Sequence, residues 1–186
     1  RQLGATWKTK HAKGWNASVV ATDYLIQSDA ARQANLAQPL ADLGGAGTVT
    51  RRDGTGWNTF EVQSTYTPTE GDFGNGRHAL VLGLHRNRYT LQNVVNNAPD
   101  WRGAETTQNQ NYYGKTLITA VYAQDAWKMT PALTLTSGLR FENFESFDGS
   151  QYFAGPPVAQ KVFGSRTLTA TSPKVSLAWA ATDEIT

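Results

Sequence analysis

Leu133-Thr134-Leu135-Thr136-Ser137-Gly138-Leu139-Arg140-Phe141-Glu142 sorts its side chains with a period of two. Leu133, Leu135, Leu139 and Phe141 take one parity, and Thr134, Thr136, Gly138, Arg140 and Glu142 the other. Successive side chains of an extended chain point to opposite faces, so this stretch reads as a strand with one greasy and one polar side. The same rule holds on either side of it. Leu80, Leu82 and Leu84 oppose Ala79, Val81, Gly83 and His85, and Val175, Leu177 and Trp179 oppose Lys174, Ser176 and Ala178. Further back, Phe60, Val62 and Tyr66 oppose Thr59, Glu61, Gln63 and Thr65, and Leu3, Ala5 and Trp7 oppose Gly4, Thr6 and Lys8.

Seven segments have this alternation or a β-rich composition: Gln2 to Lys10, Trp15 to Gln27, Trp57 to Pro68, Arg77 to Gln92, Tyr113 to Met129, Leu133 to Phe147 and Lys174 to Ala181. In the fifth, Leu117, Val121 and Trp127 compete with Ile118, Ala120 and Tyr122, and the residues alone do not choose a face. The connections are short at His11 to Gly14, Thr69 to Gly76 and Thr130 to Ala132, and long at Ser28 to Gly56, Asn93 to Tyr112 and Asp148 to Pro173. Compact soluble domains rarely have three structureless connections of that size. A barrel of the bacterial outer membrane does, because its periplasmic turns are short and its extracellular loops long. The expected fold is therefore all-β: an antiparallel up-and-down transmembrane barrel, present in part as about seven strands of a larger one. Trp7, Trp15, Trp127 and Trp179 then all fall near the short turns, where an aromatic girdle belongs. Thr182 to Glu184 falls at a further short turn.

Composition agrees. Among 186 residues there are 17 glycines and 7 prolines, with a mean hydropathy of −0.47, little apolar material for a soluble core of this size. No run of 18 apolar residues offers a membrane helix, and Val19 to Ile26 is interrupted by Thr22 and Asp23. A barrel passes that test, since only alternate residues of its strands meet lipid. A net charge of +2, with no basic cluster denser than Lys8, Lys10 and Lys13, argues against nucleic acid. The absence of cysteine removes disulfides and thiolate chemistry, and suits export to the envelope. The chain opens on Arg1 and its single methionine is Met129, so residues 1–186 read as an excerpt of a barrel domain.

Strands five to seven contain Tyr122-Ala123-Gln124-Asp125-Ala126-Trp127, then Leu133 to Glu142, then Ser172-Pro173-Lys174-Val175-Ser176-Leu177. In order and spacing this resembles the mid-barrel signature of TonB-dependent outer-membrane receptors. The match is close over about a third of the chain, and the first hundred residues agree in pattern only. The resemblance implies a twenty-two-stranded barrel around an amino-terminal plug, and energy-coupled uptake of a scarce nutrient such as a ferric siderophore. It also implies partnership with the TonB complex through a plug segment outside this excerpt, and no covalent catalysis.

Candidate residues follow from the strand map. Leu80, Leu82, Leu84, Leu133, Leu135, Leu139, Phe141, Val175, Leu177 and Trp179 are expected to face lipid. Gly138, Arg140 and Glu142 are expected to face the lumen, with Gly138 leaving room for a plug backbone and the two charges in a polar network. Asp125 is read as a rim or turn contact. Arg51, Arg52, Trp57, Trp101, Arg102, Tyr112, Tyr113 and Arg166, placed in or beside the long loops, are the candidates for gripping an anionic or aromatic ligand, small molecule or metal chelate. Arg86 and Arg88 continue the parity of the leucines; near the outer headgroups they can contact lipopolysaccharide phosphates or snorkel. His11, His78 and His85 are far apart with no carboxylate at ligand spacing, so no metal site, catalytic group or cofactor is expected. Gly44, Gly45 and Gly47 lack the Lys and Ser or Thr of a phosphate loop. The rivals are a passive porin-like channel and a soluble antiparallel carbohydrate-binding domain, with an outer-membrane enzyme third.

Overall fold

The computed structural model describes residues 1–71 and 74–180. Seven long strands form one continuous antiparallel sheet: β1 (Gln2–Lys8), β2 (Gly14–Leu25), β5 (Gly56–Thr67), β6 (His78–Ala98), β7 (Gln108–Thr130), β8 (Leu133–Phe153) and β10 (Arg166–Trp179), neighbours in that order. The end strands β1 and β10 do not pair with each other, so the sheet is an unclosed part of a barrel. Three short strands complete it. β3 (Ala30–Ala34) and β4 (Gly47–Arg51) form a hairpin that joins the upper end of β6, and β9 (Ala159–Phe163) adds to the upper end of β8.

Each of the seven expected strands is present, with shifted ends. β1 stops at Lys8, while β6 runs on to Ala98, β7 begins at Gln108 and β8 continues to Phe153. Two supposed loops are thus largely strand. Their residues lack alternation, as in Asn93-Val94-Val95-Asn96-Asn97, because a strand with water on both sides has no need of a greasy face. β10 likewise starts at Arg166 rather than Lys174, with Pro173 opposite Leu139. β10 pairs with β8 alone here, the edge setting in which a strand tolerates proline. Ala181, Thr182 to Glu184 and two residues of the Thr69 to Gly76 turn lie outside the described residues.

Register assigns the faces, since residues paired across an antiparallel ladder share a side. One row runs Trp7, Val19, Val62, Leu84, Val121, Phe141, Thr171. The adjacent row on the opposite face runs Thr6, Val20, Glu61, His85, Ala120, Glu142, Ala170. Pairing settles the fifth strand: Leu117, Val121 and Trp127 join the leucines, and Ile118, Ala120 and Tyr122 join the polar face.

Trp7, Trp15, Trp127 and Trp179 all lie on the apolar face at the short-turn end. They trace a slanted line. The row of Trp7 reaches β10 at Thr171, six strand steps away, whereas Trp179 sits eight residues further along. At ~3.3 Å per residue and ~4.8 Å per strand, this is about 26 Å along the strands for about 29 Å across them, a slant of about 42°. Trp127 falls near the line and Trp15 below it. Strands in closed barrels tilt by roughly 35–45°, so a level girdle has this slant. Measured upward from that line, each residue climbs about 2.5 Å and each strand step towards β10 about 3.2 Å.

The sheet has almost no core. Among the described residues the buried apolar side chains are Ala41, Val49, Ala98 and Ala120, the first two in the Ser28 to Gly56 connection and Ala98 at the end of β6 that pairs with β4. Leu82, Leu84, Val121, Leu139, Phe141, Val175 and Leu177 stand exposed. An uncovered leucine forfeits roughly 2 kcal/mol, so a face of this kind calls for an apolar covering.

Candidate functional site

The polar face has its densest chemistry at mid-height. Tyr122 on β7 lies across Gly83 on β6: a Cβ at Gly83 would stand 2.1 Å from the ring's Cζ, so only glycine fits beneath it. The ring reaches over β6 to β5. Its hydroxyl donates to Glu61 Oε1 at 3.1 Å and accepts from Gln63 Nε2 at 3.1 Å. Glu61 Oε2 lies 3.3 Å from His85 Nδ1. On β8, Arg140 donates through Nε and Nη2 to Glu142 Oε2 at 3.0 and 2.8 Å, and Lys174 on β10 donates to Gln124 Oε1 at 3.2 Å. A hollow of about 310 Å³ lies among Glu61, His85, Tyr122, Gly138, Arg140 and Lys174.

Gly138, Arg140 and Glu142 share this face. A Cβ at Gly138 would stand 3.1 Å from Ala123 O and 3.4 Å from Gln124 Cβ, so close packing against β7 is part of the reason for that glycine. The sequence reading missed Gly83 and Tyr122 as a unit; the signal was available in a mid-strand glycine at the parity of His85.

Higher on the same face is an aromatic row. Tyr24 and Trp57 stack at 4.1 Å and 18°, Tyr89 pairs with Trp57, and Thr116, Ser146 and Arg166 continue the row to β10. A hollow of about 240 Å³ opens beside Tyr89, Gly114, Thr116, Ser146 and Phe163. Arg166 is therefore a strand residue and not the loop residue expected. The same correction applies to Tyr112 in β7 and to Arg51 in β4, while Tyr113, the first residue of the fifth expected strand, lies within β7. Tyr112 packs edge-on to Phe153 at 5.7 Å, and Tyr113 faces the Lys115 ammonium at 5.3 Å.

The remaining loop candidates are engaged in holding the upper loops together. Arg51 Nε donates to Glu105 Oε1 at 2.6 Å, and Asn96 Nδ2 donates to Glu105 Oε2 at 2.6 Å. These bonds, with Arg51 first, hold the Glu105 carboxyl below the ordinary glutamate range. Arg52 pairs with Asp29 at 3.1 Å. Trp101 Nε1 donates to Ala41 O at 3.1 Å, and Arg32 Nη1 donates to the carbonyls of Trp101 and Gly103 at 3.1 and 2.6 Å. Arg102 lies over the Trp101 ring and pairs with Asp100. The long Ser28 to Gly56 connection is thus a docked hairpin.

Two histidines have carboxylate neighbours on adjacent strands, pairings that sequence spacing does not reveal. His85 faces Glu61, and His78 Nδ1 lies 2.7 Å from Asp125 Oδ2 on the apolar face, its ring stacked on Trp127 at 5.7 Å. Among the described residues no three metal-ligating side chains gather.

The model of the TonB-dependent receptor-like β-barrel family matches residues 1–186. The chain belongs to the TonB-dependent receptor β-barrel family. Members are outer-membrane receptors and transporters rather than enzymes. The crystal structure of the ferric yersiniabactin uptake receptor FyuA from Yersinia pestis superposes with a TM-score of 0.63 at 15% identity, over 98% of this chain and 26% of that one. That likeness concerns the fold, and the chain spans about a quarter of the solved receptor's length. No curated protein matches the sequence.

Proposed function

We propose that residues 1–186 form part of the barrel wall of a plugged outer-membrane receptor that takes up a scarce nutrient by energy-coupled transport. One observation supports this above the others. Seven neighbouring strands, in one register through their middle stretches, present a greasy face and a polar face, and the line from Trp7 to Trp179 slants by the angle of a tilted barrel. In this reading Leu80, Leu82, Leu84, Leu133, Leu135, Leu139, Phe141, Val175, Leu177 and Trp179 meet hydrocarbon. The other face lines a hydrated lumen. Arg140, Glu142, Gln124 and Lys174 in and beside the mid-height hollow offer donors and acceptors to a plug, and Gly138 keeps that wall low.

The ligand enters from above. Tyr89 lines the upper hollow, and along its row Tyr24 and Trp57 supply further flat rings and Arg166 a cation, a combination suited to an anionic aromatic chelate. Ferric siderophores have that chemistry, and one structure of similar fold is a ferric yersiniabactin uptake receptor. Energy coupling runs through the TonB complex and a plug outside residues 1–186. Uptake of labelled ferric chelates by cells with and without the full-length receptor tests the proposal. Uptake should require the receptor and stop when a protonophore collapses the proton gradient. Receptor-dependent uptake that survives the protonophore would assign a passive channel, and recovery of the protein in the soluble fraction would remove the barrel reading itself.

A further inference from the structure

On the apolar face, the β6 run Leu80, Leu82, Leu84 continues into Arg86 and Arg88. Arg86 is exposed, and among the described residues it makes no ion pair or hydrogen bond. Arg88 is half-buried: its Nε is buried without a partner among the described residues, and its Cζ lies 5.9 Å from the centre of the Phe147 ring. A buried charged donor without an acceptor is costly, so a missing anion is the economical explanation.

Height says where that anion comes from. Arg86 and Arg88 sit about 15 and 19 Å above the tryptophan line by the strand tilt. Their neighbours at that level, Asn58, Thr119 and Asn143, are polar, and arginine's long stem carries each guanidinium further towards the upper edge of an apolar band roughly 25 Å tall. Phe147 is two strands over and higher, so the guanidinium of Arg88 leans upward, away from hydrocarbon. Lys115 Nζ also lies 5.9 Å from the centre of that ring while pairing with Asp148 at 2.7 Å. Glu145, on the row of Arg88 two strands away, forms no ion pair with either arginine.

Resting on the barrel reading above, we infer that Arg86 and Arg88, flanked by Lys115, bind a phosphate of a phosphorylated glycolipid in the outer leaflet, the lipid part of lipopolysaccharide. Two guanidiniums two residues apart on one face can share a phosphate through several charge-assisted hydrogen bonds, while the leucines below accept the acyl chains. Zwitterionic lipids offer a phosphate already paired with an amine and compete poorly.

The test uses the full-length receptor reconstituted in phosphatidylcholine vesicles with and without added lipopolysaccharide. Retained glycolipid is counted by mass spectrometry after repurification. Parent and Arg86→Gln/Arg88→Gln should differ by about tenfold or more in glycolipid affinity, with Arg86→Lys/Arg88→Lys between them, and enzymatic removal of the lipid phosphates should erase the difference. Equal retention by parent and glutamine variant, or retention indifferent to dephosphorylation, overturns the inference and leaves the barrel intact. A parent that inserts in neither kind of vesicle overturns the barrel reading and this inference with it.

Discussion

Leu139→Arg puts a charge at a place where the two faces of the sheet give opposite forecasts. Leu139 lies on the leucine face, 53% exposed in the isolated sheet, two residues below the row of Trp7 and five strand steps from β1. The tilt places it about 11 Å above the tryptophan line, near the middle of an apolar band roughly 25 Å tall. An arginine at that depth costs about 2–4 kcal/mol, a factor of roughly 30 to 700 in the folding equilibrium. Asn143→Arg, on the same strand and face but about 21 Å up, should cost only about 0–1 kcal/mol. Guanidinium unfolding of the full-length receptor in phosphatidylcholine vesicles, followed by tryptophan fluorescence, measures both. If the two variants lose the same stability within about 0.5 kcal/mol, the leucine face does not meet hydrocarbon and the argument from faces fails.

Gly83→Ala should destabilise the receptor by about 1–3 kcal/mol, because the new methyl meets the Tyr122 ring, and most of that loss should vanish in a Tyr122→Ala background, measured by the same unfolding curves. Acid should loosen the upper loops: the Glu105 carboxyl is held low by Arg51 and Asn96, so its contribution is complete above the ordinary glutamate range near pH ~4.3 and fades as pH falls through the depressed folded value. Hydrogen exchange at Val94 to Asn97 between pH 6 and pH 3, corrected for intrinsic rates, reads this, and Arg51→Ala should show the acid behaviour already at pH 6. Trp57→Ala and Arg166→Ala should each weaken chelate binding by about tenfold in equilibrium titrations while unfolding midpoints stay near the parent's.

The seven long strands and their faces were readable because lipid and lumen impose opposite demands on alternate residues. Where one demand lapses, so does the signal. Asn93 to Ala98 and Arg166 to Pro173 are strand by pairing alone, and the β3–β4 hairpin is held by partners that lie far away in sequence, such as Arg51 with Glu105. The site follows the same division. Gly138, Arg140 and Glu142 could be placed on one face from parity, whereas the bridge from Tyr122 over Gly83 to Glu61 depends on three strands meeting in one register. Loop arginines and tryptophans have the composition of a binding surface, and only the fold reveals that several are already engaged with each other.

β6, β7 and β8 are 21, 23 and 21 residues long. At the tilt found here they climb about 50 Å, roughly twice the depth of the oily layer. In the barrel proposed above, the upper half would stand in water as a palisade, braced by a hairpin on its flank, and a visiting molecule broader than the shaft would come to rest on that parapet, far from the bilayer.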